Sequence, residues 1–469
     1  MPEGIAEGIG ASVRRKEDKK YTTGKGRYTD DIKRDGQLYA FFVRSNVAHA
    51  TIKKIDVSKA LTCDGVAAIY TGDDIAADGV GGPICGWVPT NRDGSAPKEP
   101  PHPLLARSKV RYVGDHIAVV IAESLEQARS AAEKITIDLD VLPPVVDLST
   151  AIGNTQIHDE MDDNIYFDWE LGDESATASA LESAAKIVEL TVTNNRVIPN
   201  AIEPRAAVAE YNETNESFTL YTTSQNPHLT RLVMAAFMLQ IPESKLHVVA
   251  PDVGGGFGSK IYIYPEEAVC TWATKKLRRP IKWTAERSEA FLGDAHGRDD
   301  VNKVKVGLDQ NNKIVGLRVD TLANLGAYLS AFSMVTPTYL HGTLLSGCYN
   351  IPAIYTNVKG VCTTTVNVDA YRGAGRPEAT YLLERTMDYA ARQVGMDPAE
   401  FRRINFIPKD AFPYETAVAL QYDVGDYEAP LDRALEMINY KGFEKRRSEA
   451  AQRGKYRGIG LSSYIEACG

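Results

Sequence analysis

Asn367-Val368-Asp369-Ala370-Tyr371-Arg372-Gly373-Ala374-Gly375-Arg376-Pro377-Glu378 runs without a break into Ala379, Leu382, Leu383, Met387, Ala390, Ala391 and Val394. Those apolar residues recur at helical spacing and predict a helix with one buried face. Gly373 and Gly375 let the backbone take conformations closed to other residues. Pro377 sits where a helix begins, since its fixed φ suits the first turn and its missing N–H is no loss there. A glycine loop carrying Arg372 and Arg376 thus feeds a helix N-terminus. Free N–H groups, the helix dipole and two guanidinium forks together suit a phosphate or other anionic cofactor. Read alone, the same residues equally describe a surface turn.

A second stretch alters that balance. Leu246 to Ala250 reads as a short buried strand, and Pro251-Asp252-Val253-Gly254-Gly255-Gly256-Phe257-Gly258-Ser259-Lys260 follows it. Pro265-Glu266-Glu267 then opens a helix expected to reach Leu277. A plain connector has no need of four glycines in five positions, each costing backbone entropy. They suit a place where a bulky ligand lies against bare backbone, so that a larger residue at Gly256 would enter the ligand's space. Two familiar phosphate motifs fail. A dinucleotide fingerprint starting at Gly254 needs a small Gly or Ala where Ser259 stands, and a P-loop needs Ser or Thr where Ile261 follows Lys260.

The pairing of Gly254-Gly255-Gly256-Phe257-Gly258 with Ala370-Tyr371-Arg372-Gly373-Ala374-Gly375-Arg376, with Ser224-Gln225-Asn226-Pro227-His228 upstream, resembles the molybdenum-binding large subunit of the xanthine dehydrogenase superfamily. Within it the chain is most similar to the large subunit of aerobic carbon monoxide dehydrogenase in its second, cysteine-lacking form. The opening Gly8 to Arg15 and Tyr28-Thr29-Asp30-Asp31-Ile32 resemble the family's beginning, and the likeness runs along essentially the whole chain. Three ordered motifs over about 150 residues are far more specific than any one of them.

Composition agrees with this reading. A chain of 469 residues, 43% apolar, expects two or more domains with sizeable cores. A net charge of −9 argues against nucleic acid or an anionic membrane as the main partner. No apolar run is long enough for a membrane span, and Met1 to Glu7 lack the cationic and apolar regions of a secretory signal. The cytoplasm is the expected compartment. Cys63, Cys85, Cys270, Cys348, Cys362 and Cys468 are scattered, without the close spacing of a zinc or iron–sulfur site. They are expected as reduced packing residues, so any electrons released here must leave through another polypeptide.

The expected fold class is α+β and multi-domain. Residues 20–136 mix strands (Gln37 to Val43, Val110 to Ala122, Thr136 to Val141) with a helix from Leu125 to Ile135, and by resemblance form an α/β hammerhead domain. Residues 79–102, rich in Gly, Pro and charge, read as a long loop. Residues 137–163, with Pro143-Pro144 and then several acidic residues, read as a linker. By resemblance residues 164–400 form a first mixed α/β molybdopterin-binding domain. Within it a helix is expected over Ala176 to Val188, strands near Ala207 and at Phe218 to Thr223, and a helix from Pro227 through Met238. Strands Val301–Leu308 and Ile314–Asn324 meet at the turn Asp309-Gln310-Asn311-Asn312-Lys313. Residues 401–469 begin a second, incomplete molybdopterin-binding domain. They open with the end of a helix over Ala399 to Asn405, and Gly458 to Tyr464 reads as a strand in progress. The chain is expected to be a fragment or one half of a split subunit.

The resemblance implies a molybdopterin, in bacterial members usually extended by cytosine dinucleotide, that holds molybdenum through its own dithiolene. No side chain ligates the metal; the protein supplies shape, hydrogen bonds and electrostatics. Gln225 matches the glutamine whose amide reaches the apical oxygen of the metal. Gly255, Gly256, Phe257 and Gly258 match the backbone beside it. Ala370, Tyr371, Arg372, Gly373, Ala374, Gly375 and Arg376 match the loop facing it. Taken alone, Gln225 is a turn amide before Pro227. The family implies partners as well: an iron–sulfur small subunit, an FAD-binding medium subunit, and polypeptide that completes the large subunit.

Two departures narrow the substrate. Carbon monoxide dehydrogenases proper carry a copper-binding cysteine in the Arg372 loop, where Gly373 stands here, and a soft copper(I) site needs thiolate. Xanthine-oxidising members carry a glutamate where Ile261 stands. What remains is a small-molecule aldehyde or electron-poor N-heterocycle, oxidised with oxygen from water while a glutamate acts as base. The matching glutamate lies in a portion of the family beyond these residues; Glu203, before Pro204-Arg205, fits a family motif and is read as structural. Three other readings stand beside this one: a carbon monoxide-oxidising subunit, a cofactor-binding half whose chemistry lies on a partner, and a nucleotide-dependent transferase. The last is disfavoured by the absence of a P-loop or an acidic metal pair.

Overall fold

The computed structural model describes residue 8 and residues 10–467; Met1–Glu7, Ile9 and Cys468, named above, lie outside the described residues. Its largest sheet has seven strands, in spatial order Leu246–Val249, Ser217–Thr222, Ala206–Asn212, Ile281–Thr284, Leu38–Arg44, His116–Ala122 and Val66–Thr71. The first four strands of this order come from residues 206–284 and the last three from residues 38–122. Leu38 and Tyr39 pair in parallel with Ile281 and Lys282, which joins an early strand to one far along the chain. His116–Ala122 is buried along its whole length, as its unbroken apolar run requires. The helix Pro265–Leu277 (α1) lies against this sheet, with Ala268, Val269, Cys270, Trp272 and Ala273 in one core with Phe42, Ile121, Leu220 and Trp283. Pro265 in its first turn and Glu267 accepting from the Tyr264 N–H fix where it begins.

A five-stranded sheet carries the rest: Ile165–Gly172, Ile354–Cys362, Ile314–Gly326, Asp300–Leu308 and Lys186–Asn194. The hairpin turn forms as expected, with Asp309 accepting from the N–H groups of Asn311 and Lys313. The helix Arg376–Gln393 (α2) packs on this sheet through Ala379, Leu382, Leu383, Met387, Ala390 and Ala391, the face its apolar spacing defines. A third, three-stranded sheet joins Lys109–Val110, Ala50–Asp56 and Thr136–Val141.

Several expectations are corrected. Residues 137–163 are not a free linker: they finish the Thr136–Val141 strand, then bury Val145, Leu148, Ala151, Ile157 and Met161 against the five-stranded sheet. The proline and acidic content masked an apolar residue every few positions. The helix begun near Ala176 is Glu174–Glu182, and residues 186–194 are strand, because the alternation from Lys186 onward wins over Ala-rich helix propensity. Val110 to Ala122 is two strands broken by a turn in which Asp115 accepts from the Arg111 N–H. The helix after Pro227 is α-helical to Val233 and π-helical over Met234–Leu239. Gly458 to Tyr464 forms no strand; its backbone is held instead by side chains, Arg402 donating to the Leu461 carbonyl at 3.1 Å and the Ser463 N–H to Glu384 at 2.7 Å. The helix Pro398–Asn405 packs on α2, and its fully buried Arg402 bonds Glu384 and Asp388, so the backbone runs across position 400 without a break in packing. Among the described residues no helix is long and apolar enough to cross a membrane.

Candidate active site

The two glycine-rich loops and the Gln225 turn, far apart in sequence, meet at one place. Gln225 follows the last strand residues of Ser217–Thr222, and its backbone N–H donates to the Lys260 carbonyl at 2.7 Å. Its side-chain Oε1 accepts from the Gly258 N–H at 2.9 Å. With the amide oxygen so held, the amide NH2 is the free end, on an exposed side chain. The Arg372 N–H donates to the Phe257 carbonyl at 2.9 Å, tying one loop to the other. The Phe257 ring is 41% exposed and lies beneath the Arg372 guanidinium, 6.0 Å from ring centroid to cation. So the exposed side chains of Gln225, Phe257 and Arg372 come together, tied through the buried backbone of Gly258.

The glycines have a cause that the sequence does not suggest. A Cβ at Gly256 would meet Gln225 itself, 2.5 Å from Cδ and 2.7 Å from Cγ. One at Gly258, whose φ is +109°, would run into the Ala370 carbonyl, and one at Gly254 would lie 2.5 Å from Glu203 Cβ. At Gly373 the obstacle is Pro377, and at Gly375 the Thr336 carbonyl. Each of these glycines lets protein approach protein where a Cβ would clash. Phe257 and Ala374 also hold left-handed φ values of +55° and +47° without being glycine, a strain that clusters at functional loops.

Buried polar groups brace both loops. The Glu203 carboxylate accepts from the Gly254 N–H at 2.6 Å and from Lys260 Nζ at 3.0 Å, while Nζ also donates to the Glu203 carbonyl at 2.8 Å. These bonds tie Glu203 to the backbone and the lysine of the glycine loop. Burial holds the Lys260 amine below its usual range despite that partner. On the other side, Asp369 is fully buried and accepts from Ser330 Oγ, the Phe332 N–H (2.9 Å) and the Ala370 N–H (2.6 Å). Burial pushes its carboxyl up to about 6 against those donors. Tyr262 OH donates to the Ala370 carbonyl at 2.7 Å. Arg298 reaches the Tyr371 and Arg372 carbonyls at 2.7 and 3.1 Å. Asp369 lies in the Arg372 loop stretch but has no role predicted from its sequence context, and Arg298 carries no signal that periodicity or motif could show.

The helix N-terminus is less available than expected. Arg376 N–H donates to the Gly373 carbonyl, Ala379 N–H to that of Gly375, and Glu378 of α2's own first turn lies buried there. Arg376 is partly engaged, with its guanidinium 3.3 Å from the Gly373 carbonyl and 3.8 Å from Glu466. Arg372 has no carboxylate partner among the described residues. Neither do the N–H groups of Gly255, Gly256 and Phe257 donate to any described residue. Where the loops meet there is thus an amide NH2 and a guanidinium without described acceptors, and the adjoining glycine loop has three backbone N–H groups likewise without one. That donor set fits a bound group rich in anionic oxygen, such as a phosphorylated, oxo-bearing cofactor. A cavity of about 410 Å³ elsewhere, lined by Gly81, Gly82, His102, Leu105 and Phe237, touches neither loop.

Beneath the site a buried ionic cluster locks the seven-stranded sheet to α1. Glu266, wholly buried, takes both Arg205 Nη atoms at 3.0 Å, Arg44 at 2.7 Å and His116 at 3.0 Å. Asp294 accepts from Arg205 Nε at 2.6 Å, and the Arg205 guanidinium lies 3.6 Å over the Tyr264 ring. Burial holds His116 neutral, near 4, so Glu266's counter-charges are the two arginines.

Residues 157–406 match the family model described as molybdopterin cofactor-binding domain, and residues 23–143 that of the aldehyde oxidase and xanthine dehydrogenase a/b hammerhead domain. The chain belongs to the molybdopterin cofactor-binding family of xanthine dehydrogenase and its relatives. Its fold is the hammerhead followed by mixed α/β molybdopterin-binding structure. It is 36% identical to the carbon monoxide dehydrogenase large chain of Hydrogenophaga pseudoflava, over 97% of this chain and 57% of that one. With the nicotine 6-hydroxylase large subunit of Paenarthrobacter nicotinovorans it shares 33% identity over 98% of this chain and 56% of that one. The solved quinoline 2-oxidoreductase of Pseudomonas putida 86 superposes with a TM-score of 0.91 at 32% identity, over 98% of this chain and 58% of that one. The chain thus spans a little over half the length of these relatives.

Proposed function

We propose that the chain is the molybdopterin-binding part of a molybdenum hydroxylase that oxidises an N-heterocycle or an aldehyde with water as the oxygen source. The observation that carries this is the Gln225 amide, whose oxygen is held by Gly258 so that its NH2 is presented beside Phe257 and Arg372. The molybdopterin, when bound, supplies the two-electron chemistry. This chain's residues do the rest. Gln225 donates a hydrogen bond to negative charge that develops at the reacting centre, and the N–H groups of Gly255, Gly256 and Phe257 add donors on one side. Arg372 and Gly373 close the other side. Arg372, Ala374, Gly375 and Arg376, with Ala370 and Tyr371 behind them, shape the wall against the cofactor.

A cytosine dinucleotide extension, an iron–sulfur small subunit and an FAD-binding subunit belong to the same reading, as does a glutamate base supplied by polypeptide beyond these residues. The N-heterocycle class is supported by relatives named for nicotine and quinoline. The carbon monoxide reading is weaker despite the identity to a carbon monoxide dehydrogenase. Gly373 has φ +100° and no room for a side chain against Pro377, so a thiolate has no place in this loop conformation. Molybdenum content and dye-linked turnover on a panel of N-heterocycles, aldehydes and carbon monoxide, measured on the assembled enzyme, decide the matter. Turnover of carbon monoxide alone would overturn the substrate assignment, and molybdenum-free protein with full turnover would overturn the cofactor.

A further inference from the structure

We propose that Arg298 is the positioning residue of the Arg372 loop, held in place by the buried carboxyl pair Asp300 and Glu378. The inference rests on the reading of that loop as the cofactor-facing wall. Arg298 is only 12% exposed at its side chain, and both of its Nη atoms are engaged. One Nη donates to the Tyr371 carbonyl (2.7 Å) and to Glu378 Oε1 (3.2 Å), the other to the Arg372 carbonyl (3.1 Å). The guanidinium also lies over the Tyr371 ring, 4.8 Å from its centroid. One planar cation thus fixes two successive carbonyls of the loop and the first turn of the helix after it.

The backbone is bent to make this reach. Arg298 and Asp299 hold φ values of +67° and +71°, two left-handed non-glycine residues in a row. Such conformations persist only where the surroundings over-determine them. Here Asp299 is pinned by Arg196 at 2.6 Å and by the Asn324 amide at 2.9 Å.

Behind the loop is a small cavity of about 10 Å³ lined by Arg298, Asp300, Asn324, Ser333, Asp369 and Glu378. That volume matches a single water and excludes a ligand. Asp300 is 5% exposed and Glu378 4%. Glu378 Oε2 has no partner in hydrogen-bond geometry, though the N–H groups of Glu378 and Gly375 lean toward the carboxylate. Asp300 receives one bond, from the Asn302 amide at 3.2 Å. Asp369, across the cavity, is saturated by its own donors. The charged groups facing the pair are Arg298, Asp299 and Asp369, with Arg196 on the far side of Asp299. One guanidinium cannot neutralise two carboxylates, so the pair retains a proton. Burial and then the Glu378 charge push Asp300 up to about 8, while burial raises Glu378 against the pull of Arg298. Near neutral pH Asp300 therefore keeps its proton, and Glu378 is the carboxyl that Arg298 bonds directly. When that proton leaves, the excess charge draws the guanidinium back from the carbonyls, and the loop loosens.

The test is hydrogen exchange of the loop peptide, residues 369–376, in the assembled holoenzyme. It is followed from pH 6.5 to 9.5 with intrinsic rates corrected, in wild type, Arg298→Lys and Asp300→Asn. Wild type should lose loop protection by about tenfold through pH 8, one hydrogen bond's worth of local opening. Asp300→Asn, an isostere of the protonated acid, should show no such step. In Arg298→Lys a single ammonium cannot span both carbonyls, so the loop should exchange about tenfold faster at every pH while the strand Asp300–Leu308 is unchanged. Should Arg298→Lys fail to fold, the Asp300→Asn profile decides alone. Wild-type loop exchange in Arg298→Lys, or the same pH step in Asp300→Asn, overturns the proposal. Faster loop exchange with wild-type molybdenum content and turnover would confirm the positioning and overturn the loop's place at the cofactor.

Discussion

Gly256→Ala separates the structural account of the glycine loop from the sequence-level one. An alanine methyl there would sit 2.5 Å from Cδ and 2.7 Å from Cγ of Gln225. Gly256 has no positive φ, so the backbone itself tolerates alanine, and the Gln225 side chain is exposed and free to swing aside. The fold then loses the Gly258 N–H to Oε1 bond and little else, about 1 kcal/mol. The chemistry loses more. A preorganised donor removed from a reacting centre raises the barrier by about 2.7–4 kcal/mol, a rate loss on the order of a hundred- to a thousandfold. Gly256→Ala should therefore behave as Gln225→Leu does: near-normal stability, near-normal molybdenum content, collapsed turnover. Because both act through one amide, the double variant should be no slower than either single one. Turnover per bound molybdenum and urea unfolding, on the four members of this cycle, give the answer. Losses that multiply in the double variant, or molybdenum lost from Gly256→Ala alone, would refute the reasoning and return the glycine to the ligand.

Three further expectations follow from the same geometry. Gln225→Glu should keep its cofactor but lose more turnover than Gln225→Leu, since a carboxylate opposes developing negative charge; equal turnover in the two variants would remove the donor role. Metal analysis of the assembled enzyme should give molybdenum without copper, and Gly373→Cys should gain none while losing about 1–3 kcal/mol to strain at φ +100° beside Pro377; stoichiometric copper that tracks activity in either protein would contradict this. Glu266→Gln leaves Arg205 and Arg44 buried without their shared counter-charge and should cost about 3–5 kcal/mol in denaturant unfolding, and a loss under 1 kcal/mol would show that the cluster does not bind the sheet to α1.

What the sequence discloses, it discloses through local rules. Pro265 with Glu267 marks the start of α1, Asp309 to Lys313 the hairpin, and the spacing from Ala379 to Ala391 the buried face of α2. The ordered motifs at Gln225, Gly255–Gly258 and Ala370–Arg376 point to segments that do come together. What stays hidden is long-range. Nothing near Arg298 indicates that its fork reaches Tyr371 and Arg372, and nothing near Val145 or Met161 says that an acidic, proline-marked stretch is packed under a sheet. The glycines show the limit most clearly: their number is a local signal, but the atoms they make room for belong to Gln225, Glu203, Ala370 and Thr336.

The parallel pairing of Leu38 and Tyr39 with Ile281 and Lys282 has a consequence for how the chain is made. During synthesis the early strands leave the ribosome with one edge open, and that edge waits for a partner encoded long afterwards. Contacts of such sequence separation carry a loop-closure cost before they stabilise anything, which slows folding. Until Ile281–Thr284 arrives, Leu38–Arg44 is an apolar strand with unpaired backbone groups, the kind of edge on which nascent chains associate wrongly. Lys282, which reaches back to the Asp30 and Ile32 carbonyls, fastens the arrival. Truncation anywhere before Ile281 should therefore yield insoluble protein, however complete the early strands are.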